Sequence, residues 1–276
     1  MNTLYISDLD GTLLQKDATL SSFTIQTINT LVEQGLHFTY ATARSIVTAK
    51  KVTQGLQLRD PVIVHNGTFL RDPQTGELVS ATFFGPEFHT VLEDLLQNDI
   101  YPIVYSLDQG VEKYRYWAEK ISPSMARFLS TRDCDPRDTP VHCSQDLFLG
   151  DPYYITCIDA PEKLRSFQDK YADILRPIFY QEIYSGDLWL ELMPKAASKS
   201  AAALKLKQLL NCDRLVVFGD GKNDMDLFRV ADEAYAVSNA EPELKALATA
   251  TIQANHQDAV ANWLLTHIYP CDDQIT

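Results

Sequence analysis

No stretch of this chain is basic. Lysine and arginine number 24 against 37 aspartates and glutamates, for a net charge of −13, and they never gather into a run. That argues against a nucleic-acid backbone or an anionic membrane as partner. An anionic small molecule stays open, because a metal and a lysine can make one site positive inside an acidic protein. Cysteine is sparse as well. Cys134, Cys143, Cys157, Cys212 and Cys271 are odd in number and widely spaced, with no Cys-x-x-Cys. A disulfide framework is not expected from such a set, and a zinc site still less. No apolar run approaches the length of a membrane span. The first residues lack the basic and long apolar regions of a secretory signal, so a cytoplasmic protein is the expectation.

What is present is an ordinary globular composition, 45% hydrophobic and 22% charged over 276 residues, long for one core and comfortable for two. The chain is organised around Tyr5-Ile6-Ser7-Asp8-Leu9-Asp10-Gly11-Thr12-Leu13-Leu14. A short apolar run stops abruptly at two carboxylates and a glycine. If Leu4 to Asp8 is a buried strand, residues two apart share a side, so Asp8 and Asp10 converge where it ends. Two such carboxylates repel, and a divalent cation that prefers oxygen ligands would relieve them. A solvated Asp-Gly turn is the competing reading of this stretch taken alone.

Strand and helix alternate from there. Ser21 and Ser22 can cap a helix carrying Phe23, Ile25, Ile28, Leu31 and Val32 on one face, with Gly35 as its stop. A second strand over 36–40 ends at Ala41-Thr42-Ala43-Arg44-Ser45, and a helix follows to Gln54. A third strand over 61–64 ends at His65-Asn66-Gly67. The rhythm predicts a parallel sheet with crossover helices. It changes after about residue 80, where helices over 86–98, 123–130 and 161–174 accompany strands over 100–106, 111–117, 153–158, 177–185 and 188–193. Residues 132–140, rich in Asp, Arg and Pro, read as a loop. The many tyrosines there (Tyr101, Tyr105, Tyr114, Tyr116, Tyr153, Tyr154, Tyr180, Tyr184) read as strand packing. The first rhythm returns with a Ser198-capped helix and a strand over 214–218 that ends at Gly219-Asp220-Gly221-Lys222-Asn223-Asp224. Shorter elements and a terminal helix over 258–268 complete it. The expected fold class is α/β: a Rossmann-like parallel sheet core from 1–81 and 191–276, with an α+β domain inserted over 82–190.

In an open parallel sheet, ligands bind beyond the carboxyl ends of the strands. Four of these strands end in polar clusters: Asp8 and Asp10; Thr42, Arg44 and Ser45; Asn66; and Asp220, Asn223 and Asp224. On one sheet they share one edge, which suits a cation bridging to an anion. The histidines other than His65 are scattered without metal-ligand spacing, and His65 reads as a packed strand-end residue.

Asp-Leu-Asp-Gly-Thr-Leu at 8–13, Ala-Thr-Ala-Arg-Ser at 41–45, a lysine opening a helix at 199 and Gly-Asp-Gly-Lys-Asn-Asp at 219–224 resemble the four motifs of the haloacid dehalogenase superfamily. The order and the large insertion resemble its Cof-type sugar-phosphate phosphatases, whose cap lies between the second and third motifs. The resemblance implies Asp8 as nucleophile, forming an aspartyl phosphate, and Mg²⁺ held by the side chains of Asp8 and Asp220 and the backbone carbonyl of Asp10. It implies Asp10 as general acid and then general base. Thr42, Asn223 and the backbone N–H groups of Leu9 and Ala43 would bind the phosphoryl oxygens, and Lys199 would offset their charge, with Lys195 competing for that place. Asp224 would either support the metal shell from behind, the favoured reading, or bind the metal directly, and Asn66 is expected to shape the floor or meet the substrate. Arg44 pairs with a nearby acid, reaches toward substrate, or is simply a surface residue at a helix start. Two positions depart from the pattern: Ala43 and Ser200 stand where glycine is usual. The implied substrate is a small phosphate ester, a sugar phosphate first, with pyridoxal phosphate and flavin mononucleotide also plausible. A phosphomutase and a receiver-type phospho-accepting module are the alternatives.

Overall fold

The structure, a computed structural model, describes residues 2–132, 134–167, 169–181 and 188–268. The Gly186-Asp187 turn, Tyr184 and Cys271 lie outside the described residues, as does the Tyr180 side chain. The chain separates into two compact units, Met1–Ala81 with Ser198–Thr276, and Thr82–Ala197. The second junction falls at 197/198, where the sequence pattern places it at 190/191. The strand that begins at Leu188 runs on to Pro194 within the second unit's sheet.

Taken in chain order, β1 (Thr3–Ser7) leads through a tight turn to α1 (Ser22–Glu33), β2 (His37–Tyr40) and α2 (Ile46–Val52). The Ser21 hydroxyl caps α1 by accepting the Thr24 N–H, and Ser45 does the same for α2 from Thr48. The inward face of α1 differs from the expected one. Phe23 is exposed at 42%, whereas Thr24 and Thr27 are buried beside Ile28, Leu31 and Val32. The Thr24 hydroxyl can occupy that position because it donates to Asp258 at 3.0 Å. Next come β3 (Val62–Val64), β4 (Phe69–Arg71) and β5 (Leu78–Ala81), an antiparallel three-stranded sheet. Its last two strands are too short to show a period in sequence. A parallel bridge between Ala41 and Ile63 joins β3 to the run of β2.

The second unit holds α3 (Glu87–Gln97), β6 (Ile103–Asp108), β7 (Val111–Trp117), α4 (Pro123–Ser130), β8 (Asp138–Val141), β9 (Asp151–Asp159), α5 (Pro161–Leu164), β10 (Leu175–Gln181) and β11 (Leu188–Pro194). Two expectations are corrected here. The loop over 132–140 contains the start of β8, which pairs parallel with β7. The helix expected over 161–174 is one turn of α5 followed by a 3-10 turn at Arg165–Phe167. The sheet order is β10-β11-β9-β6-β7-β8. The buried tyrosines pack on one another as expected, Tyr105 lying 5.8 Å from both Tyr114 and Tyr154 between ring centroids.

The chain returns to the first unit with α6 (Lys199–Leu209), β12 (Arg214–Gly219), α7 (Met225–Val230), β13 (Glu233–Val237), α8 (Pro242–Lys245), β14 (Ala250–Ile252) and α9 (Ala259–Ile268). All pairings of the main sheet are parallel, in the order β14-β13-β12-β1-β2. Chain order runs outward from β1 in one direction and from β12 in the other. The reversal therefore lies between β1 and β12, where Ser7 sits opposite Phe218. Such a switch point opens a crevice at the carboxyl ends of the two strands. Among the described residues no helix is long and apolar enough to cross a membrane. Cys134, Cys143, Cys157 and Cys212 carry free thiols.

Candidate active site

Asp8 follows β1 and Asp220 follows β12, so adjacent strands deliver both to the switch point. Beyond Ser7 the chain coils into a tight turn, Leu9–Leu13, in which Leu14 N–H donates to Leu9 O at 2.9 Å. Strand alternation ends there, and the expected convergence of Asp8 and Asp10 does not occur. Asp8 is buried at 5% exposure and meets Lys199. The Asp10 side chain is 51% exposed and meets Arg44. Arg44 Nε donates to one Asp10 oxygen at 2.8 Å and a terminal nitrogen to the other at 2.6 Å. This hydrogen bonding raises the Arg44 pKa further.

Gly11 makes the turn possible. Its φ is +78°, and a Cβ there would collide with the Asp220 carboxylate. Gly11→Ala is expected to cost about 1–3 kcal/mol through left-handed strain and displacement of Asp220. Thermal melting and turnover of the variant check this, and both should fall. Gly219, at the end of β12, is needed for a related reason: a Cβ there would lie 2.8 Å from both Asp224 Oδ2 and the Phe228 ring.

Lys199 opens α6, whose N-cap is Ser198. A cation there opposes the helix dipole, and two carboxylates compensate it. Lys199 Nζ donates to Asp8 Oδ1 at 2.5 Å and to Asp224 Oδ1 at 2.7 Å, with 1% of the residue exposed. Burial works against its charge, but Asp224 and Asp8 outweigh that and hold its pKa above the usual lysine range. Lys195 makes a different contact. It belongs to the second unit and donates to the Ala172 carbonyl.

Asp8, Asp220 and Asp224 each bring a carboxylate oxygen within 4.8 Å of the others. Burial pushes the Asp8 carboxyl well up; Lys199 pulls it back, while Asp224 and Asp220 push it further. Asp220 is pushed up to about 6, by burial first and then by Asp224. Three carboxylates facing one lysine leave negative charge uncompensated, and a hard divalent cation fits that donor set. The set is not uniform. Asp224 Oδ1 accepts from Lys199, and its Oδ2 accepts the N–H groups of Asp220 and Gly221 at 3.2 and 3.1 Å. Asp220 Oδ1 accepts the Thr12 hydroxyl at 2.9 Å. Thr12 was not among the expected site residues, although it stands inside the Asp-Gly-Thr run.

Thr42 is fully buried, and its oxygen accepts the Arg44 N–H at 3.1 Å, which leaves the hydroxyl proton to donate. Ala43 keeps a negative φ, so a methyl is tolerated where glycine is usual. Leu9 opens the tight turn as a buried residue. Asn66 adopts φ +53°, and its N–H donates to Thr42 O at 2.9 Å. Its side-chain oxygen accepts from Asn223 Nδ2 at 3.3 Å, joining the ends of β3 and β12. His65 packs edge-on against Phe69, with ring centroids 5.7 Å apart. Ser200, the other departure, has its hydroxyl 3.0 Å from an Asp226 oxygen and so ties α6 to α7.

A family model described as haloacid dehalogenase-like hydrolase matches residues 5–264. Among curated relatives, the 5-amino-6-(5-phospho-D-ribitylamino)uracil phosphatase YwtE of Bacillus subtilis is 26% identical, the match covering 93% of this chain and 95% of that protein. The HMP-PP phosphatase of Klebsiella pneumoniae is 25% identical over 89% of this chain and 88% of its own length. The X-ray structure of TM0651 from Thermotoga maritima superposes with a TM-score of 0.79 at 22% identity, covering 99% of each chain. At that identity the likeness concerns the fold.

Proposed function

The chain belongs to the haloacid dehalogenase-like hydrolases and is a phosphatase of that family, and from that premise we propose that it is a Mg²⁺-dependent phosphomonoesterase working through Asp8. One observation carries the reading: a buried carboxylate, Asp8, is held by a buried lysine at the switch point, beside two further carboxylates. Asp8 attacks phosphorus and the ester P–O bond breaks. The leaving oxygen takes a proton from Asp10. A water then loses its proton to Asp10 and attacks the aspartyl phosphate, releasing phosphate and restoring Asp8. Thr42, Asn223 and the backbone N–H groups of Leu9 and Ala43 hold the phosphoryl oxygens. Lys199 offsets their growing charge, and Asp224 holds Lys199 in place. Asp8, Asp220 and the Asp10 carbonyl would hold Mg²⁺, which when bound offsets the repulsion between a carboxylate nucleophile and a phosphate dianion. Asp224 is better read as a support than a ligand, because its oxygens already accept three donors.

The named relatives act on small phosphorylated metabolites. The substrate here is of the same class, with a sugar phosphate first, and the inserted unit Thr82–Ala197 selects it. Phosphate release from a panel of sugar phosphates, pyridoxal phosphate and flavin mononucleotide, with and without EDTA, tests this. Activity that survives EDTA would remove the metal from the mechanism. Phosphoryl transfer to an added sugar phosphate in place of release would identify a mutase.

The acidic cluster also sets a pH dependence. Asp8 and Asp220 hold protons more tightly in the folded chain than in the unfolded one. Their contribution to stability therefore falls as pH rises from the ordinary carboxyl range, about 4, through about 6. Mg²⁺ relieves that loss once the carboxylates are ionised. Added Mg²⁺ is expected to raise the melting temperature clearly at pH 7.5 and little at pH 5, and Asp220→Asn should remove most of the rise. An equal rise at both pH values would place the ion elsewhere.

A further inference from the structure

Resting on the phosphatase reading, we propose that Arg44 is a positioning residue for Asp10, whose two-point grip sets where the Asp10 carboxyl stands relative to the leaving oxygen. The guanidinium engages both carboxylate oxygens, at 2.8 and 2.6 Å. A pair of this planar, two-bonded kind fixes orientation as well as distance. Both partners are anchored. Arg44 N–H donates to Thr42 Oγ1 at 3.1 Å, and its carbonyl accepts the His65 N–H at 2.9 Å. Asp10 lies within the closed turn Leu9–Leu13.

The location separates this pair from the Lys199 cluster. The Arg44 and Asp10 side chains are 28% and 51% exposed, so the pair is open to solvent, whereas Lys199 is sealed in. An exposed ion pair contributes little to stability. Its geometric content is larger. A carboxyl on a tight turn, without a second anchor, can swing through several rotamers, and few of them face a leaving oxygen. One of the two hydrogen bonds must open for that oxygen to be served. The guanidinium then still holds the other, so the carboxyl pivots about a fixed point. Lysine could offer only a single point charge here.

Leaving-group dependence provides the test, because p-nitrophenolate departs with little need of a proton and an alkoxide does not. kcat/KM is compared for p-nitrophenyl phosphate and glycerol 3-phosphate in the wild type, Arg44→Ala, Arg44→Lys, Asp10→Asn and the Arg44→Ala/Asp10→Asn double variant. Arg44→Ala is expected to lose on the order of 10²-fold on the alkyl ester, the scale of a misplaced catalytic group, and a few-fold at most on the aryl ester. Arg44→Lys should recover part of the alkyl activity, and the double variant should be no worse than Asp10→Asn. Equal losses on both esters would make Arg44 a general phosphate binder and overturn the proposal. So would additive losses in the double variant, or no loss in Arg44→Ala. A wild type that hydrolyses neither ester, or an Asp10→Asn variant without leaving-group dependence, would overturn the phosphatase assignment of Asp10 itself, and the role of Arg44 with it.

Discussion

Asp8→Asn is expected to lower turnover by on the order of 10⁴-fold or more, the scale seen when a member of a nucleophilic unit is removed. Asparagine keeps the shape of the side chain and loses the oxygen anion that attacks phosphorus in the proposed mechanism. It also removes one negative charge from a cluster that has too many, since Asp220 and Asp224 both push the Asp8 carboxyl up. The variant should therefore melt at the same temperature as the wild type or higher, so lost activity cannot be blamed on lost fold. Acid-quenched peptide mass spectrometry during turnover supplies the direct readout: a phosphoryl adduct on the peptide containing Asp8 in the wild type, and none in the variant. Turnover within tenfold of wild type would mean that another group attacks phosphorus.

Lys199→Met should have the largest effect on stability. The side chain is the one cation that bridges Asp8 and Asp224 among the described residues, at 2.5 and 2.7 Å. Removing one partner of a buried ion pair leaves uncompensated charge and costs about 3–5 kcal/mol. The folded-state pKa of Lys199 lies above its ordinary value. Its stabilising contribution is thus complete at neutral pH and is lost only as pH rises through that higher value. The loss should nonetheless depend on acid. Near pH 5, Asp220, with its pKa near 6, and Asp8, raised well above the usual range, take up protons. The lysine then has less charge to neutralise. Denaturant unfolding at pH 7.5 and pH 5, both without divalent ions, checks this, and the penalty should shrink at the lower pH. A penalty of the same size at both would mean that the charge balance between Lys199 and the protonatable carboxylates is not what stabilises the fold. Turnover should also fall by about 10²–10³-fold, as for other preorganised donors to developing negative charge.

Local chemistry was legible from the chain alone. The helix caps Ser21 and Ser198 were readable because a hydroxyl three residues before an N–H needs no distant partner. The strands that carry the site, β1 and β12, announce themselves as apolar runs cut off by Asp and Gly. β4 and β5 were not readable: Phe69–Arg71 and Leu78–Ala81 are short and mix polar with apolar residues, whereas β3, equally short, is an unbroken Val-Ile-Val run. β8 lies in a Pro- and Asp-rich segment that only pairing with β7 makes a strand.

For the site, sequence alone determined which groups are available: carboxylates at 8, 10, 220 and 224, a hydroxyl at 42, an amide at 223 and a lysine at a helix start. Tertiary structure alone decided how they pair. Asp8 and Asp10 are two residues apart, yet the turn at Gly11 sends one into the core and the other toward solvent. Lys199 and Lys195 are near neighbours in sequence, yet the first meets Asp8 and Asp224 and the second meets the Ala172 carbonyl. Thr12 meets Asp220 across 208 residues of chain. The physical reason is the same in each case. Backbone periodicity orients a side chain only within a regular element, and catalytic groups sit where elements end, so their partners are chosen by strand order and packing.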